Sequence, residues 1–167
     1  SDHDYGVALL NDCKYGYMVH DNLLDLNLLR SPSNPDPDAD MGIHDFTYSL
    51  FPHENDLINS DTIHESSCLN QAPLLFEGVR SSATIPIQLK GNGLDLTVLK
   101  KAEKEDCLIV RVVETHGRKS AGSLLFQGTI TECNLIEWDN ISDAKQVDGE
   151  MPLLLSPFEI KTFKIKL

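Results

Sequence analysis

Apolar and polar residues alternate with a period of two along much of this chain, and that spacing suits half-buried β-strands rather than helices. Leu24, Leu26 and Leu28 alternate with Asp25 and Asn27, and Phe46, Tyr48 and Leu50 with Thr47 and Ser49. Ile85, Ile87 and Leu89 form a third set, with Pro86 marking an edge or strand start. Leu94, Leu96 and Val98 follow, then Leu108, Val110 and Val112 with Arg111 opposite. The glycines of Lys90-Gly91-Asn92-Gly93 supply the positive φ of a turn between two of these sets. At the C-terminus the apolar phase slips by one between Phe158-Glu159-Ile160 and Phe163-Lys164-Ile165, as a β-bulge would produce. Only Glu54 to Asn70 reads as a helix, ended by Pro73. The expected fold class is mostly β, an antiparallel β-sandwich with one short helix, forming a single domain over residues 1–167.

Charge narrows the functional classes. The 14 Lys and Arg stand against 26 Asp and Glu, a formal charge of -12. A nucleic-acid binder needs a basic face to release counterions, and an anionic membrane surface attracts polybasic segments, so neither partner is expected. No apolar run reaches bilayer-spanning length, and the polar stretch Ser1–Gly6 does not read as a signal peptide. The first residue is not Met, so a processed or excised piece is expected. Cys13, Cys68, Cys107 and Cys133 are too far apart for a zinc-site pattern and read as reduced thiols of a cytosolic protein. Between Ser31 and Val79 there is no Lys or Arg, while nine Asp and Glu fall there.

Each candidate for chemistry has a simpler reading beside it. Asp36-Pro37-Asp38-Ala39-Asp40 places oxygens like the start of a calcium loop, but Met41 and Thr47 stand where Gly and a bidentate Glu are needed. An acidic loop stiffened by Pro32, Pro35 and Pro37 explains the stretch better. The six histidines show no metal-ligand spacing, and Gly117 to Gly122 is not a nucleophile elbow. Trp138 fits a core or rim position better than a sugar platform. The residues alone compose no complete catalytic site and no metal site.

Longer motifs say more. Gly6-Val7-Ala8-Leu9-Leu10-Asn11-Asp12-Cys13-Lys14-Tyr15-Gly16 opens a series continued by Leu28-Leu29-Arg30-Ser31-Pro32 and Asp38-Ala39-Asp40-Met41-Gly42. His44-Asp45-Phe46-Thr47-Tyr48-Ser49-Leu50, Pro52-His53, Val110-Arg111-Val112-Val113-Glu114, His116-Gly117 and Ser156-Pro157-Phe158-Glu159-Ile160 complete it. In this order the chain resembles the C-terminal β-domain of glycoside hydrolase family 38 α-mannosidases, in the cytosolic and bacterial branch, from Tyr5 to about Leu167. It departs from the pattern at Asp45, where Glu is usual, and at Val113, where an aromatic is common.

The resemblance implies a part of a zinc-dependent retaining exo-α-mannosidase acting in the cytoplasm on terminal α-mannosides. The nucleophile and zinc ligands of such enzymes lie on an N-terminal catalytic barrel, the implied partner of this chain, so no catalytic residue and no metal ligand is carried over here. The resemblance further implies that the loop from Ser31 to His44 is directed toward the catalytic pocket. Asp40, Gly42 and His44 are its candidate substrate-pocket residues, with Lys14 a further candidate. A free-standing carbohydrate-binding or adaptor β-sandwich is the alternative.

Overall fold

A computed structural model describes residues 4–75, 77–78 and 86–167. Among the described residues all strand pairing is antiparallel, and there is one helix. Sequence reasoning expects one domain over residues 1–167; by its internal contacts the chain divides into two compact units, Ser1–Gly78 and Val79–Leu167.

The first unit contains β1 (Tyr5–Asn11), β2 (Gly16–His20), β3 (Leu23–Asn27), β4 (Tyr48–Glu54) and helix α1 (Thr62–Asn70). β1 pairs with β4 so that Leu9 faces Leu50, and β2 pairs with β3 so that Val19 faces Leu24. The two-residue turn between β2 and β3 holds Asp21 at φ 50, a left-handed conformation that Asp tolerates. Helix α1 packs against β1. It is shorter than the expected span from Glu54. Glu54 stays in the β4 ladder opposite Tyr5, and Asp56 Oδ1 accepts the Asn59 backbone N–H at 2.9 Å, which makes a turn ahead of the helix. Only Gly6, Leu10, His53 and Thr62 are buried among the described residues of this unit.

The second unit contains β5 (Gln88–Lys90), β6 (Leu94–Lys101), β7 (Leu108–Glu114), β8 (Ser120–Cys133), β9 (Lys145–Leu155) and β10 (Ile160–Lys166). The strand order is β5-β8-β10-β7-β6, with β9 paired to β8. β9 occupies one edge of β8 from Ser120 to Ile130. β5 and β10 therefore share the other edge, at residues 123–125 and 129–133. Between them lies Gly128, whose missing side chain lets the Lys166 carbonyl come close; a Cβ there would stand 2.1 Å from that oxygen. The core gathers Ile87, Val110, Val112, Leu124, Phe126, Leu155, Phe163 and Ile165 from every strand region except β6, whose Leu94 and Leu96 pack at its margin. Burying so many aliphatic groups is the main stabilising term here, at about 1.5–3 kcal/mol for each large side chain.

Two expectations from the sequence fall differently. The bulge lies in β6, between Leu96 and Val98, while β10 pairs without a slip. Ile160 is 45% exposed and shares the face of Thr162 and Lys164, opposite Phe163 and Ile165, so the apparent phase change needs no slip, and Phe158 lies in the turn before β10 at φ 57. Ile85 of the third alternating set lies outside the described residues; Leu89 of that set is in β5 and Ile87 just before it.

One buried carboxylate ties the turns of this unit together. Glu114, at 0% exposure, accepts the backbone N–H groups of His116, Gly117 and Phe158 and the Ser120 hydroxyl, each at 2.9 Å. Burial alone would raise the carboxyl's pKa, but these four donors outweigh it and hold it at about 2. The ring of Phe158 covers Gly117, where a Cβ would meet it at 2.6 Å. On another part of this unit, Lys164 is buried and pairs with Glu105, while Arg111 and Lys100 share Glu137.

Candidate functional site

The Ser31–His44 loop joins β3 to β4 without regular structure, and a few specific contacts give it shape. Asp40 stands at φ 62 and Ser31 at φ 46, and the Asp40 Oδ2 accepts the Ser31 backbone N–H at 2.7 Å. This bond closes a neck across nine residues. His44 Nε2 lies 2.8 Å from the Asp40 carbonyl. A carbonyl can only accept, so Nε2 carries its proton, and Nδ1 has no partner among the described residues. Asp40 and His44 are thus brought together through main chain, not side chain to side chain.

Gly42, between them, has φ 121, and no atom lies within 4 Å of where its Cβ would stand. Its neighbours Met41 and Ile43 are exposed, so these residues project from the pinned neck. Within the acidic stretch, Asp36 Oδ1 accepts the Asp38 N–H at 3.0 Å. The carboxylates that resembled a calcium loop are therefore turned partly onto their own backbone. Among the described residues no three His, Cys, Asp or Glu side chains converge to hold a metal ion.

Lys14 lies elsewhere in its contacts. Asn11 Oδ1 accepts the Lys14 N–H at 2.7 Å, which turns the chain after β1. Its ammonium sits 4.6 Å from the centre of the Phe46 ring, within the range of a cation–π attraction. Lys14 thus touches Phe46, two residues past the loop, and it serves the loop's base rather than its projecting part. Sequence reasoning passed over Asp12 beside it. Asp12 Oδ2 accepts the Thr47 N–H at 2.9 Å, and Asp12 N–H donates to the Thr47 carbonyl at 3.2 Å. Hydrogen bonding from the Cys13 thiol, then from Thr47, holds the Asp12 carboxyl below its ordinary value. The same contact pushes the Cys13 thiol up. The sequence signal was an Asx residue directly after a strand, a common turn former.

Trp138 is 61% exposed, at a rim, with the Lys104 ammonium 3.5 Å from its ring centre. That face of the indole is therefore already covered by a cation.

What the pinned loop can do chemically follows from its groups. It offers carboxylate oxygens and an imidazole nitrogen on an exposed, shaped segment that itself contains no Lys or Arg. Such groups bond hydroxyls well, and a rigid acceptor loses little entropy on binding.

Comparison with known proteins gives this arrangement a setting. Residues 93–163 match the family model described as the glycosyl hydrolases family 38 C-terminal beta sandwich domain. Residues 1–38 match the model of the glycosyl hydrolases family 38 C-terminal domain. The chain is 37% identical to alpha-mannosidase G of Dictyostelium discoideum, over 98% of this chain and 16% of that protein. It is 35% identical to alpha-mannosidase 2C1 of Mus musculus, over 100% of this chain and 17% of that protein. For the alpha-mannosidase of Saccharomyces cerevisiae the identity is 32%, over 99% of this chain and 18% of that protein. The chain therefore spans about a sixth of the length of the curated relatives it matches.

Proposed function

As this chain belongs to the C-terminal domains of glycosyl hydrolase family 38, we propose that it is part of a zinc-dependent, retaining exo-α-mannosidase of the cytoplasm that releases terminal α-mannosyl residues. The observation that supports this most is similarity along essentially the whole chain to three alpha-mannosidases, each far longer than it. In this reading the chain completes and stabilises a catalytic part formed by polypeptide outside it. Retention needs one carboxylate to attack the anomeric carbon and a second group to act as acid and then base. A zinc ion, when bound, would orient sugar hydroxyls and stabilise developing charge. Its ligands are proposed to lie on polypeptide outside this chain.

This chain's own contribution is the loop. Asp40 closes the neck on Ser31, His44 is fixed on the Asp40 carbonyl, and both are proposed to position substrate hydroxyls at the rim of the catalytic pocket. Gly42 lets the backbone approach its partner closely. Lys14 steadies Phe46 at the loop's base.

The test is the full-length protein, loaded with zinc and given a chromogenic α-mannoside, with the anomer of the first product read by NMR. Turnover with an α-mannose first product is expected; no turnover, or an inverted product, overturns the reading. In the same protein Asp40→Ala and His44→Ala should each lower kcat/KM at least about tenfold, or about 1.4 kcal/mol of transition-state stabilisation. Asp40→Asn keeps an acceptor for the Ser31 amide and separates loop closure from charge. Wild-type kinetics in both alanine variants would make the loop scaffolding only.

A further inference from the structure

The first unit has far too little buried apolar surface for its size. Its described residues bury a single large hydrophobic side chain, Leu10. Both of its sheets have only two strands, and an isolated two-stranded sheet is marginal in water. Meanwhile its apolar residues line an open cleft of about 860 Å³, including Val7, Leu9, Val19, Leu24, Leu26 and Leu50. Val19 is 65% exposed and Leu50 63%. The pairing explains the arrangement. Val7 and Leu9 share one face of β1–β4 with Leu50, while Val19 shares a face of β2–β3 with Leu24 and Leu26. Each sheet turns an apolar face to the cleft, and no described residue fills it.

Resting on the family reading above, we propose that this cleft receives apolar side chains of the polypeptide preceding residue 1 in the full-length protein. The chain spans about a sixth of its relatives, so most of the protein is available as an occupant. Covalent linkage also gives that occupant a high effective concentration, which a second copy lacks. Three of the cleft's four strands, β1 to β3, fall within residues 1–38, matched as the family's C-terminal domain, while β4 lies between that match and the separately matched beta sandwich domain, which begins at residue 93. Apolar patches of this kind, when unpartnered, mark interfaces.

The experiment uses the full-length protein carrying Leu50→Cys or Val19→Cys. Alkylation of the new thiol by a maleimide is timed in native buffer and in guanidinium chloride, with the labelled peptide identified by mass spectrometry. Protection of at least about 100-fold at both positions is expected, since labelling then requires opening of the interface. Native labelling within about threefold of the denatured rate overturns the proposal. Hydroxyl-radical footprinting of the unsubstituted protein at Tyr48, which lines the cleft, gives the same answer without any substitution: low oxidation supports the buried cleft, and high oxidation overturns it. Light scattering accompanies both, and protection that disappears as a dimer dilutes to monomer assigns the cleft to a second copy and also overturns it. Activity on an α-mannoside is measured on the same samples. A protected cleft in an inactive protein overturns only the α-mannosidase reading, and an exposed cleft in an active one overturns only this proposal.

Discussion

Gly122 in β8 is a position where one added methyl group should damage the second unit. A Cβ there would stand 2.2 Å from the Lys90 carbonyl oxygen, 2.6 Å from Leu94 Cδ1 and 3.2 Å from the Gly91 Cα. Carbon atoms prefer separations of about 3.5–4.0 Å, so the Lys90 backbone would have to retreat by roughly 1 Å. Leu94 can rotate aside, but Lys90 cannot move alone, because β5 is held to β8 through Gln88, Leu89 and Lys90. Overpacking costs about 1–3 kcal/mol, and each ladder hydrogen bond lost adds about 1 kcal/mol. Gly122→Ala should therefore destabilise this unit by about 3–5 kcal/mol, a large share of the total for a small domain. Gly149→Ala is the control: its φ is 103, but no atom lies within 4 Å of its Cβ position. Only backbone strain applies there, about 1–3 kcal/mol. Urea unfolding followed by tryptophan fluorescence reads this unit alone, since Trp138 is the single tryptophan of the chain. A Gly122→Ala variant within about 1 kcal/mol of the parent, or no worse than Gly149→Ala, would refute the reasoning.

Leu124→Ala removes a fully buried core side chain and should cost about 2.7–5 kcal/mol in the same urea experiment. Glu114 has a carboxyl pKa lowered to about 2 in the folded state, so the stability it contributes is present above its unfolded value of 4.5 and disappears as pH falls toward 2. The urea midpoint of the second unit should accordingly drop between pH 5 and pH 2.5, and Glu114→Gln should flatten that fall while lowering the midpoint at pH 7, because its amide presents donors to donors. Asp12→Ala removes the acceptor of the Thr47 N–H, and exchange of that amide should accelerate at least about fivefold; unchanged exchange would show that β1 and β4 hold Thr47 without it.

How much of this the sequence discloses depends on the face each residue needs. β3 and β6 show alternation because one face of each is mostly polar, whereas β7 shows it only around Arg111, which shares its face with the buried Ile109. The longest strands, β8 and β9, escaped notice for physical reasons. β8 buries Ser120 and Ser123 as well as Leu124 and Phe126, with Leu125 between the last two, so its pattern reads as mixed. β9 contains Pro152, opposite Ser123, and proline argues against a strand unless the strand lies at an edge. β9 pairs only with β8, which leaves an edge for it. The Ser31–His44 loop stood out through its prolines and acidic residues, yet the bond that closes it did not. Asp40 binds a backbone N–H nine positions away, and any residue but proline supplies that donor. The role of Glu114 was hidden likewise, since three of its four partners are main-chain groups.

Because β8 is paired on both edges, with β9 along one and β5 then β10 along the other, it cannot leave the second unit without releasing three strands at once. Opening therefore begins at the margins: β5 with three residues in its ladder, β6 bonded only to β7, and β9 bonded only to β8. A protease cutting between Ser120 and Cys133 has to wait for the whole unit to unfold, whereas cuts near Gly91 or Lys145 need only a local excursion. The β8 segment thus sets the unit's lifetime in a cell, and its neighbours at the rim set where that lifetime first begins to fail.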